Sequence, residues 1–354
     1  MKSPFRPAAL LAALAAATCG FAAQPQPLYH IASEVKIPSA AAPEWDYLAF
    51  DDARSVLYIA RRGDGILAYD TKAKKVLGTL AGSAGGNAVV LVPELDRGYV
   101  VHEEGVLTPF DLATRRTQAK LKVGENADNG SYDAATGQVV VTMGDSRQIA
   151  FVDAKTGAVR ERVAIDSEKI EAVAPDGQGK LYVALRDRNK VLRVDARQHK
   201  VEAEFATAPA CEQPNGVAYD AAHKRVLVGC RGANPVLAVL DADTGRMVAS
   251  TTIGRGNDMV IFDAEQRRIY TANGVDANVV VVQQVDADHY QLVEATNTRP
   301  NARTMALNPK TKDLYLVTAE GAVDASRKWS TSVAPFYPNT YFKNTFTLLT
   351  LSRR

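Results

Sequence analysis

The stretch PNGVAYD (Pro214–Asp220), followed after a turn by the apolar run Arg225–Cys230, shows the pattern that decides the fold. A short apolar segment ends in Asp, and a second strand-like run begins a few residues later. Six other segments share this pattern and end at an equivalent residue: Asp51, Pro93, Asp133, Asp176, Asp263 and Asn308. The seven markers are spaced by 42, 40, 43, 44, 43 and 45 residues, a period typical of propeller blades. The sequence therefore predicts an all-β, seven-bladed β-propeller.

Each repeat is long enough for four antiparallel strands, here named A to D from the central channel to the rim. Strand B is almost entirely apolar, as in Val56–Ile59 and Val226–Val228, which is expected of a strand packed between neighbouring blades. Asp153–Gly157 and Asp241–Gly245 are Asp- and Gly-rich connections that suit the hairpins between strands C and D. No segment has the periodicity of an amphipathic helix.

The seventh repeat is incomplete, which predicts how the ring closes. Its strands A and B are Arg303–Asn308 and Asp313–Thr318, and the last run, Thr345–Leu351, can only be strand C. The segment Leu28–Ile37 precedes the first blade and is available as the missing outer strand. We therefore expect the N-terminal strand to pair with the C-terminal strand, so that no blade edge is left open.

An insertion at 319–344 separates strands B and C of the seventh blade. Its aromatic residues are Trp329, Phe336, Tyr337, Tyr341 and Phe342. A loop of this length in a compact domain is functional or disordered, and the aromatic content argues against disorder. Two interpretations remain, a lid packed on the rim and a flap that contacts a ligand.

Residues 1–23 have the features of a cleaved secretory signal. Lys2 and Arg6 give a positive start, Ala8–Ala17 is apolar, and small residues precede the expected cleavage point. We expect the remainder, 24–354, to be a monomeric propeller in the periplasm or outside the cell. Cys19 follows a poor lipoprotein consensus, so we do not expect a lipid anchor there. No other stretch is long and apolar enough for a membrane helix.

Two cysteines, Cys211 and Cys230, lie in the predicted mature chain. An even number in an oxidising compartment favours a disulfide over two buried thiols, and the repeat places both at the same rim. The formal charge of the whole chain is +2, and loss of Lys2 and Arg6 leaves it neutral. A neutral chain has no global field to attract nucleic acid.

The chain resembles the secreted YVTN-repeat, YncE-like seven-bladed propellers of bacteria. The segments that carry the resemblance are Trp45–Tyr47, Leu57–Ala60, Pro214–Asp220 and Arg303–Lys310. The resemblance implies a periplasmic propeller, and one branch of this family is associated with single-stranded DNA. Similar propellers occur as lactonases and as subunits of quinone-dependent amine dehydrogenases. Val141–Met143 and Val228–Cys230 depart from the YVTN consensus, and no catalytic residue is transferred from the family.

The residues five positions before the markers predict a polar ring at the channel mouth. They are Asp46, Ala88, Asp128, Glu171, Asn215, Asp258 and Arg303, and Asn87 is next to Ala88. Crowded carboxylates repel unless a cation, a proton or a basic ligand offsets them. One interpretation is a divalent cation such as Ca²⁺, held by Asp46, Asp128, Glu171 and Asp258. The others are a cationic small molecule or basic peptide end, and a hydrated channel partly neutralised by Arg303.

The loops between strands B and C should surround the same mouth. They contain Arg61-Arg62, His102-Glu103-Glu104, Arg186–Arg188, Arg231 and the insertion with Trp329. Mixed charges above an acidic ring suit an amphoteric ligand or a solvated rim. The aromatic residues of the insertion would also suit stacking of single-stranded bases, although the acidic mouth would repel phosphate.

Three functional hypotheses follow. The first is a binding or scaffold propeller that recognises a small ligand, a cation or a protein segment at the mouth. The second is a metal-assisted hydrolase or lyase acting on a lactone-like substrate, with His102 as a base. The third is binding of single-stranded DNA. The sequence has no clustered histidines for zinc or copper, no haem-attachment motif and no Gly-x-Ser-x-Gly elbow.

Overall fold

The structure is a computed structural model that describes residues 28–330 and 338–354. The predicted signal sequence with Cys19, and Phe336 and Tyr337 of the insertion, lie outside the described residues. Seven four-stranded sheets follow one another around a ring, and all their strand pairs are antiparallel. The predicted all-β, seven-bladed propeller is confirmed.

The strands follow the predicted order from channel to rim. After β1 (Tyr29–Lys36), blade one contains β2 (Leu48–Asp51), β3 (Val56–Ala60), β4 (Ile66–Asp70) and β5 (Lys75–Thr79). Blade two contains β6 (Gly86–Val92), β7 (Arg97–His102), β8 (Val106–Asp111) and β9 (Leu121–Lys122). Blade three contains β10 (Asn129–Asp133), β11 (Gln138–Met143), β12 (Gln148–Asp153) and β13 (Val159–Ala164).

The next three blades repeat this plan. Blade four contains β14 (Ile170–Pro175), β15 (Lys180–Leu185), β16 (Lys190–Asp195) and β17 (Lys200–Ala206). Blade five contains β18 (Pro214–Asp220), β19 (Arg225–Cys230), β20 (Val236–Asp241) and β21 (Met247–Thr252). Blade six contains β22 (Asn257–Asp263), β23 (Arg268–Asn273), β24 (Asn278–Gln284) and β25 (Tyr290–Asn297).

Blade seven is completed by the N-terminal strand, as the sequence predicts. Its strands are β26 (Met305–Leu307), β27 (Leu314–Thr318) and β30 (Thr347–Arg353), with β1 as the outermost. Tyr29 lies opposite Arg353, and Lys36 lies opposite Thr347. The insertion contains a separate hairpin, β28 (Gly321–Val323) and β29 (Asn339–Tyr341).

The core lies between the blades. In the described part of the chain, seven apolar clusters occupy the seven interfaces between neighbouring blades. The second strands are buried along their length, as in β3 and β11, whereas outer strands such as β17 alternate between exposed and mostly half-buried residues. A strand buried on both faces needs apolar residues throughout, which explains the uninterrupted Val, Leu and Ile of strand B.

Side chains of the second strands of blades two, three and four also join each of these blades to the next by hydrogen bonds. The Tyr99 hydroxyl donates to the carbonyl of Ala154 at 2.6 Å, and Gln138 Nε2 donates to the carbonyl of Ala196 at 2.9 Å. Tyr182 donates in the same way to Ala242. Because these buried bonds recur between successive blades, they fix the angular spacing of the blades around the channel.

Cys211 and Cys230 form the predicted disulfide, with their Cα atoms 5.4 Å apart. It joins the segment before β18 to the end of β19 and is fully buried. A disulfide is consistent with an extracellular location. Across the described residues, helical structure is confined to two 3₁₀ turns, Pro93–Leu95 and Arg186–Arg188, and no helix there has the length and apolar character to cross a bilayer.

Candidate ligand site at the channel mouth

The inner strands bulge where they reach the mouth of the channel. In four blades the pairing of the first two strands shifts register at or beside the ring position: at Asn87, at Asp258, across Glu171-Ala172 and across Asn215-Gly216. In blade one, the carbonyl of Ala60 accepts a hydrogen bond from the N–H of Asp46, and the N–H of Ala60 donates to the carbonyl of Tyr47. A bulge leaves one residue outside the regular ladder and redirects its side chain. The sequence analysis did not predict these irregularities, and the regular part of the inner strand of blade one starts only at Leu48.

Asp258 is the most heavily paired carboxylate of the ring. Arg303 Nε lies 2.8 Å from its Oδ2, and Arg231 Nη1 pairs with its Oδ1. Asn215 Nδ2 also donates to Oδ1, at 3.3 Å. Three donors from blades five and seven therefore neutralise and orient this carboxylate, so that blades five, six and seven are joined at the mouth.

Asp46 is paired on the other side of Arg303. Arg62 Nη2 donates to Asp46 Oδ2 at 2.6 Å, and Arg62 Nη1 reaches Glu103 at 3.3 Å. Arg303 donates to the carbonyl of Trp45 at 2.9 Å, with its guanidinium carbon 5.4 Å from the centre of that indole ring. The Arg303 guanidinium thus lies among Asp258, Asp46 and the indole of Trp45, consistent with its predicted role of neutralising the ring.

The insertion contacts the mouth through Tyr341. The ring of Tyr341 lies 4.7 Å from that of Trp45, on which Arg303 also packs. Trp329 is 48% exposed and has the guanidinium carbon of Arg327 5.1 Å from its ring. In the described part of the insertion, Tyr341 rather than Trp329 therefore lies next to the ring.

Asp128 differs from the other three carboxylates. In residues 28–330 and 338–354 its side chain has no ion pair and no hydrogen bond, and it is partly exposed to a cavity of about 240 Å³. The acidic lining of this cavity consists of Glu103, Asp128, Asp145, Glu168 and Glu171, and the basic lining of Arg62 and Lys169. The cavity therefore has an excess of negative charge around a carboxylate that the fold leaves unpaired.

Burial and the negative charges of neighbouring acids raise the pKa values of three ring carboxyls, Asp46, Asp128 and Glu171. The pKa of Asp128 is raised well above its usual value, first by burial and then by the charges of Asp46 and Glu171. Burial also raises the pKa of Asp46 and of Glu171, although nearby arginines oppose the shift. A cation bound beside Asp128 would favour the ionised carboxylate, because it would add to the positive charge of Arg62, which lowers the pKa of Asp128 less than burial and the neighbouring acids raise it.

Tyr47 is a mouth residue that the sequence analysis missed. Its phenol is buried, and its pKa is raised by burial and then by four carboxylates of different blades: Asp128, Asp46, Glu171 and Asp258. Met259 of blade six packs against the apolar cluster that includes Tyr47. The equivalent positions of the other six blades hold Val89, Asn129, Ala172, Gly216, Met259 and Thr304; a single aromatic residue among these was the available signal.

Two predicted site residues do not face the mouth. His102 is fully buried: its Nδ1 lies 3.1 Å from the carbonyl of Ala84 and its Nε2 lies 2.8 Å from Thr108 Oγ1. Asn87 is buried between blades, where it donates to the carbonyl of Ala127 at 3.3 Å. Both side chains hold the fold together, and the prediction of His102 as a base at the mouth is not supported by its position.

The carboxylates do not form a metal centre. In the part of the chain that the structure describes, no group of three or more His, Cys, Asp or Glu side chains is arranged to hold a metal ion. The oxygens of Asp46, Glu171 and Asp258 are directed at guanidinium groups of Arg62, Arg186 and Arg231. The arrangement therefore does not fit the predicted Ca²⁺ site, since arginines occupy the places that a cation would take.

No protein-family model matches this sequence, and no curated protein matches it significantly. Solved structures do match. A chain of the Kuenenia stuttgartiensis hydrazine synthase is 14% identical with a TM-score of 0.68, over 79% of this chain and 94% of that one. A chain of a mitotic checkpoint complex is 13% identical with a TM-score of 0.72, over 99% of each. The WD40 repeats of RRP9 are 10% identical with a TM-score of 0.69, over 90% of this chain and all of theirs. At these identities the likeness shows the fold, which is that of a seven-bladed propeller.

Proposed function

We propose that this protein is an exported, non-catalytic binding propeller that recognises a cationic group at the channel mouth. An ammonium or guanidinium group of a small molecule or of a protein segment would lie in the cavity beside Asp128. The propeller supplies the rigid frame, and the loops between second and third strands supply the charges. Function on this fold must be argued from the site, because propellers serve many purposes.

The unpaired carboxylate of Asp128 is the observation that carries this proposal. Three ring carboxylates have arginine partners, whereas Asp128 faces a cavity lined by further acidic side chains. A partly buried charge without a partner is unfavourable, and the raised pKa of Asp128 reflects this cost. A bound cation would remove the repulsion and add charge-assisted hydrogen bonds.

Export is part of the proposal. The signal-like residues 1–23, the resemblance to secreted YncE-like propellers and the disulfide between Cys211 and Cys230 all support it. We make no proposal of catalysis, because both nitrogens of His102 are bonded inside blade two and its surroundings. The acidic cavity would repel the phosphates of single-stranded DNA, which disfavours that hypothesis.

Calorimetric titration with agmatine, which carries a guanidinium and an ammonium group, tests the proposal. Asp128→Asn keeps the shape of the side chain and should weaken binding about tenfold, the effect expected when a charged hydrogen-bond partner is lost. Glu104→Gln is the matched control, because Glu104 is an exposed acid of the same rim that pairs with Lys120. Equal affinities of the wild type and Asp128→Asn, or no binding by the wild type, would contradict the proposal.

A further inference from the structure

Arg186 is an underpaired cation at the mouth. Its Nη1 lies 3.6 Å from Glu171 Oε1, and Glu171 is its ion-pair partner among the described residues. Its Nε is buried and has no hydrogen-bond partner among the same residues. A guanidinium has five N–H donors. Most of the donors of Arg186 therefore have no acceptor from the described protein, although its side chain is only 21% exposed.

A second arginine, Arg231, directly follows the second strand of the adjacent blade, as Arg186 does in its own blade. Burial lowers the pKa of Arg186, and the positive charge of Arg231 lowers it further. Arg231 is 23% exposed and already pairs with Asp258. Two neighbouring guanidinium groups on adjacent blades repel each other, and an anion between them would relieve this repulsion and accept hydrogen bonds from both.

We propose that Arg186 and Arg231 bind an anionic group of the ligand, so that the mouth recognises an amphoteric molecule. The inference rests on the proposed function, since it adds an anion subsite beside the cation site at Asp128. Glu171 connects the two subsites, because it pairs with Arg186 and also lines the Asp128 cavity. A ligand with a basic group and a carboxylate close together matches this arrangement.

A small zwitterion and the carboxyl end of a basic peptide share this chemistry. Both present a carboxylate, which a guanidinium binds through two parallel hydrogen bonds. L-Arginine represents the first source, and the tripeptide Ala-Ala-Arg with a free carboxyl group represents the second. Tighter binding of one probe than of the other identifies the source, and either result is consistent with the anion subsite.

The pair of agmatine and L-arginine isolates the contribution of the anion subsite, because the two molecules differ by one carboxylate. An acidic cavity alone would prefer agmatine, which has the larger positive charge. With the anion subsite, we expect L-arginine or the tripeptide to bind wild-type protein about tenfold more tightly than agmatine. Arg186→Gln should abolish this preference while agmatine still binds.

Arg188→Gln is the matched control for this experiment. Arg188 lies in the same 3₁₀ turn, but its guanidinium pairs with the Asp166 carboxylate at 2.9 Å and donates to the Asp166 carbonyl at 2.7 Å. It should leave the preference for the carboxylate probes unchanged. Binding of agmatine with equal or higher affinity than both carboxylate probes would overturn the inference and leave the proposed function intact. Failure of all three probes to bind would contradict the proposed function itself.

Sulfate tests the anion subsite independently of the cation site. At constant ionic strength, replacing chloride with sulfate should raise the melting temperature of the wild type and of Asp128→Asn, because ligand binding stabilises the folded state. Arg186→Gln should lose this increase, and Arg188→Gln should keep it. An equal increase in Arg186→Gln, or none in the wild type, would overturn the anion subsite.

Discussion

The two sides of the channel mouth use the same residue type in different ways. On one side, Asp258 is held by Arg303 and Arg231. On the other side, Asp128 has the equivalent position in its blade and no such partner in the described residues. A carboxylate in the ring is therefore not by itself a binding group. Its neighbouring side chains determine whether it joins blades or is available to a ligand.

The difference comes from the loops between the second and third strands. Blades one, four and five place Arg62, Arg186 and Arg231 immediately after or near the end of their second strands, and each reaches a ring carboxylate. Blade three places Gly144 and Asp145 there, and both line the cavity around Asp128. An acidic loop next to an acidic ring residue concentrates negative charge at one point of the mouth.

Asp258→Asn should have the largest effect on stability. The substitution removes the charge that holds two arginines, and breaking a buried ion pair is strongly destabilising. Because both arginines are about a quarter exposed, we expect a loss of about 2 kcal/mol in the free energy of unfolding, measured by urea denaturation.

The control for Asp258→Asn is Asp276→Asn, since Asp276 pairs with the exposed Arg255 on the surface. It should change the free energy of unfolding by less than about 0.5 kcal/mol. If Asp258→Asn were as mild as this control, the ion pairs of Asp258 would not distinguish the two sides of the mouth.

Asp128→Asn should have the opposite sign. Its raised folded-state pKa means that ionisation destabilises the fold at neutral pH. We expect a gain of about 1 kcal/mol at pH 7. The gain should be constant above the folded-state pKa, should shrink as pH falls below that pKa, and should be absent below about pH 3.9, the pKa of Asp in unfolded chains, where Asp128 is protonated in both states. A destabilised Asp128→Asn protein at neutral pH would show that this carboxylate has a structural partner.

Glu168→Gln should have the smallest effect. Glu168 lines the Asp128 cavity, but it is 44% exposed and pairs with Arg147. We expect the free energy of unfolding to change by less than about 0.5 kcal/mol. Calorimetry should show about a twofold loss of agmatine affinity, because the negative electrostatic field of the cavity is weaker. A loss as large as that of Asp128→Asn would mean that the cavity acids act together rather than through Asp128.

The repeats allowed the fold to be predicted because each blade contains its own local signals. The markers from Asp51 to Asn308 gave the blade number, and the missing outer strand of the last blade gave the pairing of β1 with β30. The disulfide followed from the same alignment. These features depend on positions within a repeat, and such positions can be counted along the chain.

The site was less predictable because it depends on how irregular segments bend. The bulges at Glu171 and Asp258 redirect side chains, and no residue pattern in the sequence marks them. His102 ends β7 at the mouth, yet its ring turns inward to Ala84 and Thr108. The choice of arginine partner for each acid likewise depends on loop conformation. The sequence therefore predicted which residues form the ring, but not which of its acids pair with an arginine and which does not.

A carboxyl ¹³C NMR titration of Asp128, assigned by comparison with Asp128→Asn, tests the central claim most directly. In the free protein, we expect Asp128 to titrate well above the ordinary pKa of an Asp side chain. Saturating agmatine should lower this pKa. A pKa of about 3.9 that does not change when agmatine is added would contradict the claim that Asp128 is unpaired and binds a cationic group.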